Sequence, residues 1–179
     1  MLLLPGCASL QRFGLTLDPA SADVPMYGRI PERSFDAPAA LTFPMTAAWE
    51  YNAGAGFGNS APVVVGNTLI IGTMQGELHA VDVTTGKKIR SMKTFSPISS
   101  SAVVSGKFII VGNEGEEENL LGIDTEEGIV LWRSSAGGIA ASPLAVGDMV
   151  ITAGLDGSLR AFRTSSGLEV WNTDTGSPL

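Results

Sequence analysis

A chain of 179 residues with 44% hydrophobic and only 16% charged residues is long enough and apolar enough to bury a core, which excludes disorder over most of its length. Its 22 glycines are too many for a helical protein and follow no collagen period, so they are expected to punctuate many short strands. Eighteen acidic against 11 basic residues leave a net charge of −7, which repels phosphate backbones and argues against nucleic acid as a partner, and no apolar run reaches the roughly 18 residues of a bilayer-spanning helix.

In chain order the first feature is Cys7, the one cysteine, which has no second thiol for an internal disulfide or a shared metal site. Leu4-Pro5-Gly6-Cys7 resembles a bacterial lipobox, in which a small residue before the cysteine permits cleavage and the sulfur is then acylated. Ala8 and Ser9 follow, and the lack of an aspartate after the cysteine resembles outer-membrane sorting positions. Only Met1 to Leu4 precede Pro5, short of the apolar stretch of roughly 7–15 residues in a full signal. Lipidation at Cys7 is therefore expected on a chain whose true start lies upstream; the plain alternative is an apolar stub with a chance cysteine. Residues 1–9 are assigned to this anchor region.

Residues 10–46 carry Pro19, Pro25, Pro31, Pro38 and Pro44, a spacing that interrupts any helix and rules out a central strand, and they are assigned to a tether. Within it, Met26-Tyr27-Gly28-Arg29 with Glu32-Arg33 resembles the lead-in segment of envelope repeat proteins. Its arginines are read as solvated charges in preference to docking contacts on the first blade.

Beyond Trp49 the sequence repeats. Ser60-Ala61-Pro62-Val63-Val64-Val65-Gly66-Asn67 recurs as Ser100-Ser101-Ala102-Val103-Val104-Ser105-Gly106-Lys107 and again, with one residue's drift, over Ala140 to Asp148. Each Gly-X pair closes one strand and opens another. Next come Leu69-Ile70-Ile71-Gly72, Phe108-Ile109-Ile110-Val111-Gly112 and Met149-Val150-Ile151-Thr152-Ala153-Gly154, apolar and β-branched runs expected to be buried on both faces. A third strand follows Gln75-Gly76 or Asp156-Gly157, the latter a type I′ hairpin signal. A fourth follows Thr85-Gly86, Glu127-Gly128 and Ser166-Gly167 and reaches Arg90, Trp132 and Trp171. With Trp49, these positions recur about every 40 residues, the period of a four-stranded propeller blade.

The repeated pattern Ala-x-Asp-x-x-x-Gly-x-x-x-Trp resembles the tryptophan-docking motif of the pyrroloquinoline-quinone (PQQ) dehydrogenase-like propeller repeats. Ala80, Asp82 and Gly86 fit it with Arg90 in place of the tryptophan. Asp124, Gly128 and Trp132 fit with Gly122 in place of alanine, and Ala161, Gly167 and Trp171 fit with Arg163 in place of aspartate. The resemblance implies an all-β chain with a partial β-propeller over residues 47–179, its blades near 60–95, 100–135 and 141–175. It also implies that the indoles pack between neighbouring blades and that these motif residues are structural. Propellers close with about four to eight blades. The end of the chain, Gly176-Ser177-Pro178-Leu179, repeats the opening of the third copy, so a piece of an eight-bladed parent resembling an envelope lipoprotein is expected.

The dehydrogenases among the resembling proteins use a catalytic aspartate, a calcium site and often a vicinal disulfide, and one cysteine excludes that disulfide. Asp82 and Asp124 occupy a repeat position and are read as turn acceptors, and the lone His79 is read as a packed or exposed side chain. Glu114-Gly115-Glu116-Glu117-Glu118-Asn119 lengthens one turn; its carboxylates lack the alternating pattern of a calcium loop and are read as a solvated hairpin tip. Gly54-Ala55-Gly56-Phe57-Gly58-Asn59 precedes a strand, not a helix, and is read as a connection and not a phosphate loop. No catalytic, cofactor or metal residue is assigned. The expected function is a lipid-anchored scaffold that binds other envelope proteins, possessing no cofactor and touching the membrane only through Cys7. A quinoprotein dehydrogenase fragment and a ligand-sensing propeller stay open beside it, and the isolated chain is expected to self-associate.

Overall fold

In the computed structural model, residues 12–17, 23–35, 42–139 and 141–176 are described. Among them no helix occurs, and twelve strands form three four-stranded antiparallel sheets, each a meander. The first sheet contains β1 (Val63–Val65), β2 (Thr68–Gly72), β3 (Glu77–Asp82) and β4 (Lys88–Lys93). The second contains β5 (Val103–Ser105), β6 (Phe108–Gly112), β7 (Leu120–Asp124) and β8 (Ile129–Ser134). The third contains β9 (Leu144–Val146), β10 (Met149–Ala153), β11 (Ser158–Arg163) and β12 (Glu169–Asp174). These are three blades of a partial propeller, called blades 1 to 3.

The blades are built alike because the same residue types stand at the same turns. Gly66, Gly106 and Gly147 take φ of 57°, 56° and 60° in the hairpins that open each blade, a left-handed conformation that glycine adopts without a Cβ clash. In every blade the third and fourth strands slip register once, between Ala80 and Val81, Gly122 and Ile123, and Ala161 and Phe162. The Asp156-Gly157 turn departs from the type I′ expectation. Only Gly157 of the pair has positive φ, and the N–H of Gly154 donates to Ser158 O across a three-residue loop ending at that glycine. A type I′ turn needs positive φ at both central residues, and the Asp156 side chain, which accepts from the Ser158 N–H and hydroxyl, is content without it.

Two apolar layers lie between the sheets. One joins Ile70, Leu78 and Ala80 of blade 1 to Ile109, Val111, Leu121 and Ile123 of blade 2; the other joins Ile110, Leu120 and Trp132 of blade 2 to Val150 and Phe162 of blade 3. Strand β6 is accordingly covered on both faces, and β2 is covered by the first layer on one face and by the segment of Trp49, Tyr51 and Phe57 on the other, whereas β10 is buried only at alternate residues, Val150 and Thr152. Burial on both faces therefore holds for two of the three apolar runs: β10 faces blade 2 on one side and no further blade among the described residues on the other. The connectors add a plug that the motif does not contain. Ile98 and Ile139 are fully buried, and a Cβ on Gly72 or Gly112 would lie 2.2 or 2.5 Å from them, so those strand ends must be glycine.

The segment read as a tether is held against the blades. Phe13 is fully buried and Leu15 nearly so within the first apolar layer, and Met26 is buried in the second. Val24 pairs with Val64 of β1, and Pro25 O accepts from the Val104 N–H of β5, so these residues cross the inner strands of two blades in turn. The reading of solvated arginines is corrected as well: the guanidinium of Arg33 donates to Ser142 O of the third blade at 3.0 Å and lies over the Tyr27 ring. Prolines forbid a ladder with many N–H donors, yet single backbone bonds and buried side chains suffice to dock an extended chain.

Candidate functional site

The repeated motif builds one receptor per blade, in the turn between its third and fourth strands. The receptor consists of a backbone carbonyl (Val83, Thr125 or Thr164) and a buried glycine (Gly86, Gly128 or Gly167) with φ of 67°, 68° or 69°. The indole of Trp49 donates to Val83 O at 2.6 Å and lies where a Cβ on Gly86 would stand. Trp132 of β8 does the same on blade 3, donating to Thr164 O at 2.9 Å with its ring against Gly167. The ring of Trp132 also lies over its cross-strand neighbour Gly122, where a Cβ would approach it to 2.0 Å, so the departure from alanine at that position makes room for the indole. Ser134 adds a hydroxyl donor to Gly167 O at 2.6 Å. This is the seam between blades 2 and 3.

The receptor on blade 2 has no indole, because the position that would supply it is Arg90, which is exposed. Its place is taken by residues 12–17. The Leu15 N–H donates to Thr125 O at 2.7 Å, the Phe13 N–H donates to Gly128 O at 2.8 Å, and a Cβ on Gly128 would meet the Gly14 nitrogen at 2.2 Å. Trp171 differs from the docking expectation in the other direction. It pairs with Ala161 in β12 but remains 38% exposed, against 8% for Trp132, because no described blade lies over it.

The aspartates of the motif brace these turns. Asp82 accepts from the Thr85 N–H and hydroxyl and from the Asn67 amide, and the Thr85 hydroxyl foremost holds its carboxyl below the usual range. Asp124 accepts from the N–H groups of Glu126 and Glu127 and pairs with Lys107 at 2.8 Å; that pairing, before the backbone donors, lowers its carboxyl and raises the Lys107 amine. In blade 3 the two positions exchange charge, with Arg163 pairing to Asp148. The turn survives the exchange because Gly167 and Ser166 still donate to Arg163 O through the backbone.

His79 is neither exposed nor without partners. Its Nδ1 is 2.7 Å from the Tyr51 hydroxyl and its Nε2 2.9 Å from Glu77 Oε2. An ionised carboxylate only accepts, so Nε2 carries the proton and the Tyr51 hydroxyl donates to Nδ1. The hydrogen bond from His79 lowers the Glu77 carboxyl, and burial, followed by the Glu77 charge, raises the Tyr51 hydroxyl. The chain pins the strand-like segment of Trp49 and Tyr51 onto the face of blade 1. No alignment of repeats reveals it, since Leu121 and Arg160 occupy the equivalent positions.

The extended acidic turn is organised by amides. Asn113 accepts from the Gly115 N–H, and Asn119 bridges Gly115 O to the Ala136 N–H. Among the described residues no group of three His, Cys, Asp or Glu is placed to hold a metal ion. The residues present do not fit the quinone and calcium centre of the dehydrogenases, because Asp82 and Asp124 spend their oxygens on turn donors. Cys7, Ala8 and Ser9 lie outside the described residues, as do Ser177 to Leu179. Among the described residues no helix is long and apolar enough to cross a membrane.

Comparison with known proteins agrees with this architecture. The family described as outer membrane protein assembly factor BamB matches residues 45–179. BamB of Bordetella pertussis is 26% identical over 133 residues, covering 73% of this chain and 34% of that protein. The quinohemoprotein alcohol dehydrogenase ADH IIB of Pseudomonas putida is 34% identical over 85 residues, covering 42% and 12%. The crystal structure of BamB from Moraxella catarrhalis superposes with a TM-score of 0.57 at 30% identity, over 71% of this chain and 39% of that one. Quinohemoprotein alcohol dehydrogenase from Comamonas testosteroni gives a TM-score of 0.71 at 18% identity over 86% and 27%, a likeness of fold. The match thus spans about a third of the length of one curated relative and about an eighth of the other.

Proposed function

Because this chain belongs to the family of outer membrane protein assembly factor BamB, we propose that it serves as a non-catalytic propeller scaffold in the bacterial envelope, binding other envelope proteins during outer-membrane assembly. The observation that carries the reading is the use to which the motif is put. Its glycines, aspartates and the buried Trp132 are consumed by turns and by the blade seam, and no carboxylate of the motif points a free oxygen into a cavity as a general base requires. Cys7 supplies the attachment in this reading, acylated on a form that carries its upstream signal, with the propeller facing the periplasm. The exposed face of blade 3, with Leu155, Leu168, Val170 and Trp171, gives the isolated chain a surface for self-association, to be read by light scattering at micromolar concentration.

A quinoprotein dehydrogenase is the second reading, favoured by the 34% identity to the Pseudomonas enzyme. Full-length protein incubated with PQQ and calcium separates the two. The scaffold reading expects no quinone absorbance after desalting, no dye reduction with alcohols, and co-purification with β-barrel assembly proteins from cross-linked envelopes. Dye reduction would overturn it. Fatty-acid labelling that is lost in Cys7→Ser tests the anchor.

A further inference from the structure

Three equivalent receptors stand on three blades; one holds the indole of Trp132 from the preceding outer strand, one the indole of Trp49 from the segment ahead of blade 1, and the third a stretch of backbone. Trp132 belongs to β8 and cannot leave without that strand, and the segment of Trp49 is pinned a second time by the Tyr51–His79 hydrogen bond. Residues 12–17 are different: two backbone bonds, from Phe13 and Leu15, tie them to blade 2, and buried side chains supply the rest of the hold. Phe13 and Leu15 are buried and Leu17 is packed on the same layer, while Arg12 and Thr16 are exposed. The side chains inserted are thus at alternate positions of an extended chain.

We propose that the seam between blades 1 and 2 is a binding slot for an extended peptide of alternating apolar residues, that residues 12–17 are its resident and exchangeable occupant, and that arginine at position 90 keeps it open. The acceptors offered to the peptide, Thr125 O and Gly128 O, are backbone groups and take any N–H, so selection falls on the side chains at positions 13, 15 and 17. The central glycine is not selected. A Cβ at Gly14 would meet only Glu126 O and Thr125 O at 3.7 and 3.9 Å, ordinary contact, so the pattern recognised is apolar-x-apolar-x-apolar. Concavities lie beside the described segment. A concavity of about 590 Å³ lies beside Leu15 to Leu17 against Lys107 and Glu126, and another of about 570 Å³ lies beside Arg12 against Met92, Phe95 and Val130.

Two experiments on the full chain test this. The first closes the slot from within. Arg90→Trp combined with Ala80→Gly recreates the Trp132 and Gly122 pair of blade 2 and supplies the missing indole. Amide exchange at Phe13 and Leu15 should then accelerate at least tenfold while exchange across β10 and β11 stays as in the wild type; continued protection of Phe13 and Leu15 would overturn the proposal. The second loads the slot from outside. A fluorescent peptide copying residues 11–18 should bind Phe13→Ala/Leu15→Ala saturably and at least tenfold more tightly than wild type, whose own segment competes. A copy with serine at the three apolar positions, 13, 15 and 17, should not bind. Equal binding by both peptides, or none by either to a variant that melts cooperatively, would overturn exchangeability. Should the double alanine variant not fold, the indole variant decides alone, since it removes only one buried methyl group.

Discussion

The two blade seams solve one packing problem with different parts. Between blades 2 and 3 the closing group is covalently part of the repeat: Trp132 fills the receptor of Thr164 and Gly167 and is covered to 8% exposure. Between blades 1 and 2 it comes from more than a hundred residues away along the chain, Phe13 and Leu15 filling the receptor of Thr125 and Gly128. The receptor carries the constraint and the filler is interchangeable. A positive-φ glycine and an inward carbonyl demand only an N–H and apolar bulk, which an indole or a short extended chain both provide.

The largest effect that separates the seams should come from Trp132→Ala, which removes a buried indole and is expected to cost ~3–5 kcal/mol in urea or thermal melts. Trp171→Ala serves as its control and should cost far less, because that ring is already 38% exposed. Equal losses at the two positions would erase the distinction between a docked and an undocked indole. Phe13→Ala comes next. Although the ring is fully buried, the loss cannot exceed the free energy that docks residues 12–17, since the segment can detach locally, and about 2 kcal/mol is expected. Exchange at the Leu15 amide should rise in that variant while the amides of β10 stay protected.

Acid should open the two seams in a fixed order. The folded Asp124 carboxyl is held below its ordinary 3.8, chiefly by Lys107, so the stabilisation is present above that value and is lost as pH falls through the lower folded one. Lys107 is raised above 10.5, so its share is complete below that value and disappears only as pH rises past the folded one. Asp124 braces the turn that offers Thr125 O, whereas the equivalent turn of blade 3 carries Arg163. Protection at Leu15 should therefore fail below pH 3.8 before protection at β10, and Asp124→Asn should lose the order. Simultaneous loss at both sites in the wild type would count against it. The smallest effect is an exchange of charge in blade 3. Asp148→Lys with Arg163→Asp copies blade 2 on an exposed pair and should shift stability by less than about 1 kcal/mol in a thermal melt.

What could be read from residues alone follows the repeat. Strands, hairpin glycines, turn aspartates and the all-β class recur in register, and recurrence averages away the accidents of any one copy. Features that occur once lack that support. Phe13, Leu15 and Leu17 do alternate, but three positions among prolines resemble a linker until the vacancy left by Arg90 is matched to them. Trp171 carries the motif as well as Trp132 does, yet burial depends on a neighbouring blade and not on the motif. The Tyr51, His79 and Glu77 chain joins a segment ahead of blade 1 to its third strand, a contact between positions 28 residues apart that has no repeat to announce it. Asp156-Gly157 carried a dipeptide signal that its neighbours overrode, Asp156 being better satisfied as a side-chain acceptor.

Docking of residues 12–17 also fixes a length. Had the whole stretch to residue 46 hung free, an attachment at Cys7 would let the propeller wander over a wide volume at any orientation. With Phe13 bolted into the seam, the covalent path from Cys7 reaches at most about 20 Å even at full extension. Were that sulfur acylated, the Thr125 to Gly128 turn of blade 2, against which Phe13 and Leu15 are bonded, would be moored within about that distance of the lipid.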